Sequence, residues 1–188
     1  MKHSHKIIAS VLLLTIAFLS LVGCSSAQAK VECPFTEITW NSTLEDVQAL
    51  EGELQDSYYS SFKGTTYVYE KEYLGLPGTI KYMFDDEEKL MSMAWLYLPE
   101  SDEDLENVYA DLVKQTTKLY GKSGFDSDMT TAKGEVWYLE DGNILIGVMS
   151  TGVNEAIQYQ FFHPEVSSEK PADNQNNSKS YLEKIFNN

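Results

Sequence analysis

The chain is 188 residues long, enough for one domain with a sizeable core behind an N-terminal export segment. Hydrophobic residues make up 43% and aromatic residues 12%, which is too apolar for a disordered chain. Its 29 acidic residues stand against 14 basic ones, all lysine, and the net charge of −15 excludes nucleic acid as a partner. His3 and His5 lie in the first six residues, so only His163 remains and a histidine-rich zinc site is excluded as well.

In chain order, Met1 to Lys6 is a short basic stretch, and Ile7 to Val22 is an uncharged apolar run of 16 residues. That is short of the roughly 20 residues a membrane-spanning helix needs. The run ends in Leu21-Val22-Gly23-Cys24, which resembles the lipobox of bacterial lipoproteins. The resemblance implies cleavage after Gly23 and attachment of diacylglycerol to the Cys24 sulfur. Residues 1–23 are then a signal peptide and 24–34 a lipidated tether, with the chain held on the outer side of the cell membrane. Loss of Lys2 and Lys6 with the signal peptide takes the charge from −15 to −17. Cys33, the other cysteine, is left without a partner in the chain, so no intramolecular disulfide is expected. Nothing basic flanks it, and an unreactive thiol is the expectation.

Residues 35–162 read as a single α+β domain, and 163–188 as a disordered tail without apolar periodicity. Ser42-Thr43-Leu44-Glu45 has capping-box form and opens a helix with Leu44, Val47 and Leu50 on one face, ending at Gly52. Alternation with period two predicts strands over Thr65–Tyr73, Thr79–Phe84 and Lys89–Leu98. Ser101 caps a second helix whose Leu105, Val108, Tyr109, Leu112, Thr116, Leu119 and Tyr120 follow a 3.6-residue period up to Gly121. Three more strands follow at Glu135–Glu140, Asn143–Met149 and Glu155–Phe162, the first two joined by an Asp141-Gly142 turn. The predicted order is α-β-β-β-α-β-β-β, an antiparallel sheet with helices on one face, and its repetition points to two related halves.

Ile38-Thr39-Trp40-Asn41-Ser42, then Glu45-Asp46-Val47 and Leu50-Glu51-Gly52, resembles the opening of a known group. It comprises the small lipoproteins of the outer-membrane-assembly (SmpA/OmlA) and β-lactamase-inhibitor-protein-like type. Leu119-Tyr120-Gly121-Lys122 is similar to the helix exit of a second such unit. The resemblance implies a short helix ahead of an antiparallel sheet, with the unit repeated in tandem. It carries the fold to this chain and not an activity.

No pattern for chemistry is compelling. Asp85 to Glu88, and Glu140 with Asp141, fall at turns where water solvates them, whereas an acid–base pair needs a desolvated carboxylate. Glu135, beside Val136 and Trp137, is the only acid to consider, and a structural role is favoured for it. Asp126-Ser127-Asp128 lacks the glycine and distal glutamate of a calcium loop and reads as a solvated loop. Glycine-rich phosphate loops and a Gly-x-Ser-x-Gly nucleophile are absent, and no cofactor is predicted. The aromatic residues give the better lead. In Lys89–Leu98, a row of Leu90, Ala94, Leu96 and Leu98 alternates with Met91, Met93, Trp95 and Tyr97. If the smaller row packs under the helices, the second row and Trp137 form an open binding face for an envelope protein. Otherwise they are ordinary core, covered by the other half of the domain or by a loop over Gly52–Gly64. The expected function is therefore a non-enzymatic, lipid-anchored protein-binding or assembly module of the cell envelope. The alternative is an exported carboxylate-dependent enzyme or ligand binder acting on wall sugars or peptides.

Overall fold

The computed structural model describes residues 32–60, 63–129, 132–150 and 154–167. The predicted signal peptide, Cys24 and most of the predicted tail lie outside the described residues. Helix α1 (Leu44–Glu51) leads into strands β1 (Asp56–Tyr59), β2 (Thr65–Glu70), β3 (Thr79–Phe84) and β4 (Leu90–Tyr97). Helix α2 (Asp102–Tyr120) leads into β5 (Phe125–Met129), β6 (Ala132–Leu139), β7 (Gly142–Ser150) and β8 (Glu155–Phe162). The strands form one antiparallel sheet in the order β1-β2-β3-β4-β8-β7-β6-β5, so the fold is α+β. The observed order corrects the expected three-strand runs, because each contains a fourth strand. β1 is only four residues long and exposed throughout, which leaves no buried alternation to read. β5 takes in Asp126 and Asp128, which pair with Glu135 and Lys133 of β6 and so belong to a strand rather than to a calcium-type loop.

Local chemistry accounts for the helix ends. Thr43, one residue later than expected, caps α1: its hydroxyl accepts from the Asp46 amide while the Asp46 carboxylate accepts from the Thr43 amide. Ser101 accepts from the Asp104 amide at 3.2 Å and caps α2, whose first turn carries Asp102, Glu103 and Asp104 against the positive helix end. At the β6–β7 turn, Gly142 has φ 129°, and a Cβ there would lie 2.1 Å from the Phe162 carbonyl oxygen, so only glycine fits.

The sheet register fixes which side chains meet the helices. Tyr82, Met93, Phe161, Ile144 and Trp137 lie opposite one another on successive strands, as do Ile80, Trp95, Tyr159 and Ile146. Together with Val47 of α1 and Leu105, Val108, Tyr109 and Leu112 of α2, these rows make a single core. Aromatic pairs thread it: Phe35 meets Tyr159 at 5.1 Å between ring centres, Tyr73 meets Trp95 at 5.4 Å, and Trp95 stacks on Tyr97. Several of the core rings have their polar tips paired, while the buried Tyr69 hydroxyl has no partner among the described residues. Trp95 Nε1 donates to the Lys71 carbonyl, Trp137 Nε1 to the Gly121 carbonyl, and the Tyr159 and Thr116 hydroxyls lie 2.6 Å apart. Leu119, expected on the buried face of α2, is exposed.

On the opposite sheet face, Val136 and Leu145 form a smaller cluster with Phe125, Tyr138 and Phe162, drawn entirely from strands. The fold runs on past Phe162. His163 caps a 3-10 turn over Pro164–Val166, Lys89 pairs with Glu165, and the Ser167 hydroxyl accepts from the Asn143 amide. At the other end, the Tyr120 hydroxyl holds the Glu32 carbonyl, and Cys33 packs against the core edge. Burial pushes the Cys33 thiol up to about 12, which keeps it protonated and unreactive at neutral pH.

Candidate functional site

The expected binding row is core. Met91, Met93, Trp95, Tyr97 and Trp137 are all buried, and Trp95 has no exposed surface. Met93, Trp95, Tyr97 and Trp137 face the helices, while Ala94 and Leu96 lie on the other side, so the two rows of β4 are reversed from expectation. The reason is volume. Val47 is the only buried residue of α1, so the space over β2, β3 and β4 is filled by large rings rather than by a second thick helix. A register shift at Met83 and Phe84 also brings Leu90 into the core with Met93. These five residues hold the fold together and are not an open face. Glu135, the one acid considered for catalysis, is half-buried on β6 opposite Ile146 and Asp126.

Large exposed apolar side chains lie elsewhere: Leu74, Leu98 and Leu119 fall at separate places along the chain, and four others fall together. Leu50, Leu54, Tyr58 and Tyr59 are large and exposed, and all four fall within the ten residues that run from the end of α1 through β1. Tyr59 is 72% exposed. β1 is the first strand of the sheet, hydrogen-bonded to β2 on one side only among the described residues. Tyr58 lies opposite Thr66, on the face away from the helices, with the Lys81 ammonium 5.7 Å from its ring centre. Tyr59 points the other way by strand alternation. Sequence reasoning missed this segment because it treated Gly52 to Gly64 as a loop. The available signal was the Tyr58-Tyr59 pair between two glycines, too short for a period.

A recess with a cavity volume of about 700 Å³ adjoins the N-terminal end of β1, lined by Glu51, Glu53, Leu54, Gln55 and Glu70. Glu51 is committed to the fold. Its carboxylate accepts from Lys71 Nζ at 2.9 Å on each oxygen and from the Tyr82 hydroxyl at 2.6 Å. The Glu51 side chain is 3% exposed, so this clamp ties the last residue of α1 to β3 and to the chain leaving β2. Burial, with the Glu51 carboxylate beside it, holds the Tyr82 hydroxyl protonated far above its ordinary range. Glu70 accepts from the Gln55 side-chain amide at 2.7 Å, which pins the entry to β1. The described residues hold no group of three histidine, cysteine or acidic side chains placed to bind a metal ion.

No family model matches the chain, and no curated protein or solved structure matches it.

Proposed function

We propose that this chain is a lipid-anchored module of the bacterial cell envelope that binds another protein through the edge of its antiparallel sheet. The anchor is the diacylglycerol on Cys24 that the lipobox implies. The observation that supports the binding role is the concentration of Leu50, Leu54, Tyr58 and Tyr59 on and beside a free edge strand, in a domain that otherwise buries its large rings. The two halves, each a helix followed by a four-strand meander, are read as related units. Their common element order, and the antiparallel join of β4 to β8, support that reading and the likeness to the outer-membrane-assembly and inhibitor-protein-like group. A tether at the membrane raises the effective concentration of any partner held on the same surface.

The experiment is photocrosslinking in intact cells, with a photoreactive residue placed at Tyr59 in one strain and at exposed Leu119 on α2 in another. A discrete adduct with one envelope protein from position 59 only is the expected result. Adducts that are absent at 59, or identical from both positions, overturn the proposal. Fractionation of a Cys24→Ala strain tests the anchor, which predicts release of the chain from the membrane fraction.

A further inference from the structure

Building on the edge-binding reading, we infer that β1 accepts an extended, lysine- or arginine-bearing segment of the partner as a ninth strand of the sheet. Ser60 donates back to the Gly64 carbonyl at 2.7 Å, so the two-residue period of an antiparallel ladder turns the backbone groups of Tyr59 and Ser57 outward. The Ser57 amide is covered by the Asp56 carboxylate at 2.8 Å, a local contact that an incoming strand can displace. The Tyr59 amide and the Ser57 and Tyr59 carbonyls are left facing outward, a template for strand addition. Side chains of an added strand would meet Tyr58 on one face and Tyr59 on the other.

Charge selects the occupant. Leu50 to Ser60 contains Glu51, Glu53 and Asp56 and no lysine, with Glu70 and Glu72 at the end of the neighbouring strand. Of the nearby lysines, Lys71 is engaged with Glu51 and Lys81 lies over the Tyr58 ring, while exposed Lys63 sits in the β1–β2 turn, at the end of β1 away from Glu53 and Glu70. A second copy of this chain would bring the same acids to the same edge, on a molecule already at −15. The opposite edge of the sheet, β5, carries Asp126 and Asp128 within five residues, a charge pattern that guards edges against pairing. A basic side chain two positions beyond the Ser57 contact is within reach of the recess lined by Glu53 and Glu70.

The test uses the full-length chain in detergent micelles and three fluorescent eight-residue peptides. One alternates lysine with valine and tyrosine, one replaces each lysine by glutamate, and one is the basic peptide N-methylated at alternate residues. Fluorescence anisotropy is expected to show the basic peptide binding at least tenfold more tightly than either of the others, with affinity falling as salt rises. Tyr59→Pro removes the outward amide without touching the ladder to β2, and should lower affinity at least tenfold while circular dichroism is unchanged. Tyr59→Phe, which keeps amide and ring, should bind as the parent does. Equal binding of the N-methylated peptide overturns strand addition, and equal binding of the glutamate peptide overturns the charge assignment. A concentration-dependent dimer that Tyr59→Pro abolishes makes a second copy the occupant and also overturns the inference. If no peptide binds while position 59 still crosslinks to an envelope protein in cells, this inference fails and the edge-binding function stands. Loss of both removes the function itself.

Discussion

β4 and β1 belong to the same sheet and meet opposite fates. Every residue of β4 except Leu96 is buried, and its aromatic row lies between the sheet and the helices. Every residue of β1 is exposed, and of its two tyrosines Tyr58 has the Lys81 ammonium over its ring. Aromatic residues in strands thus meet two environments in one molecule, and neighbours decide which. β4 is central, flanked by β3 and β8, whereas β1 has one partner and no buried residue of α1 beside Val47 to draw it inward. Composition alone cannot separate a core tyrosine from an exposed one; position in the strand order does.

The contrast breaks most sharply at Trp95. Its ring is fully buried, meets Tyr73 and Tyr97, and donates to the Lys71 carbonyl. Trp95→Ala should cost ~3–5 kcal/mol through the cavity and the orphaned carbonyl. Urea denaturation followed by tryptophan fluorescence reads this directly. A loss under about 1 kcal/mol would mean that the aromatic row is not the centre of the core.

The next effect lies at the clamp between the two regions. Glu51→Ala removes the acceptor of Lys71 Nζ and of the Tyr82 hydroxyl, and leaves the hydroxyl with Thr36 alone. Because Lys71 is partly exposed, the expected cost is about 3 kcal/mol, the low end for breaking a buried pair. Lys71→Met should cost at least as much as Glu51→Ala, because it leaves the buried Glu51 carboxylate without its counter-charge, whereas Glu51→Ala leaves a partly exposed ammonium. A clearly smaller cost for Lys71→Met would show that the Tyr82 hydroxyl, and not the ammonium, is the main support of the Glu51 carboxylate.

Alkaline pH acts on the same buried rings. Donation to the Asp104 carboxylate, with burial, pushes Tyr97 up to about 12, and burial carries Tyr120 to about 12. Tyrosine in the unfolded chain ionises near about 10. Between those values the unfolded chain has released protons that the folded chain retains, so unfolding becomes easier as pH rises. Stability from these groups is whole below about pH 10 and is lost through about pH 12. Melting temperature should therefore fall steadily from pH 10 to 12, and Tyr97→Phe should flatten part of that slope. A melting temperature that holds constant over this range contradicts the buried hydroxyl network.

Most of the elements were legible in the sequence because their cause is local. The Ser101 cap, the glycine after Tyr120 and the Asp141-Gly142 turn each depend on neighbours within a few residues, and the structure has them. What faced what was not local. Period two in Lys89–Leu98 separates two rows, but both rows are apolar, and only the small contribution of α1 decides that the larger one goes under the helices. β1 left no trace because a four-residue edge strand with no buried face has no pattern to show. The open face expected on β4 failed for the same reason: it was sought where rings are dense, whereas the exposed rings lie where the sheet ends.

The smallest expected effect is at Tyr59 itself, and it carries the comparison furthest. With 72% of its surface exposed, Tyr59 contributes little to folding. Tyr59→Ala should shift stability by no more than ~0.5 kcal/mol, as is usual for surface positions. Tyr58→Ala should cost somewhat more, about 0.5–1 kcal/mol, because it removes the ring under the Lys81 ammonium at an exposed site. Paired urea titrations of the two variants give the ranking. Hydrogen exchange supplies the complement: amides of β4 should exchange only through global unfolding, and the outward amide of Tyr59 close to the rate of an open chain. Protection of the Tyr59 amide comparable to that of β4, or a Tyr59→Ala loss above about 2 kcal/mol, would return β1 to the core and dissolve the distinction between the two strands.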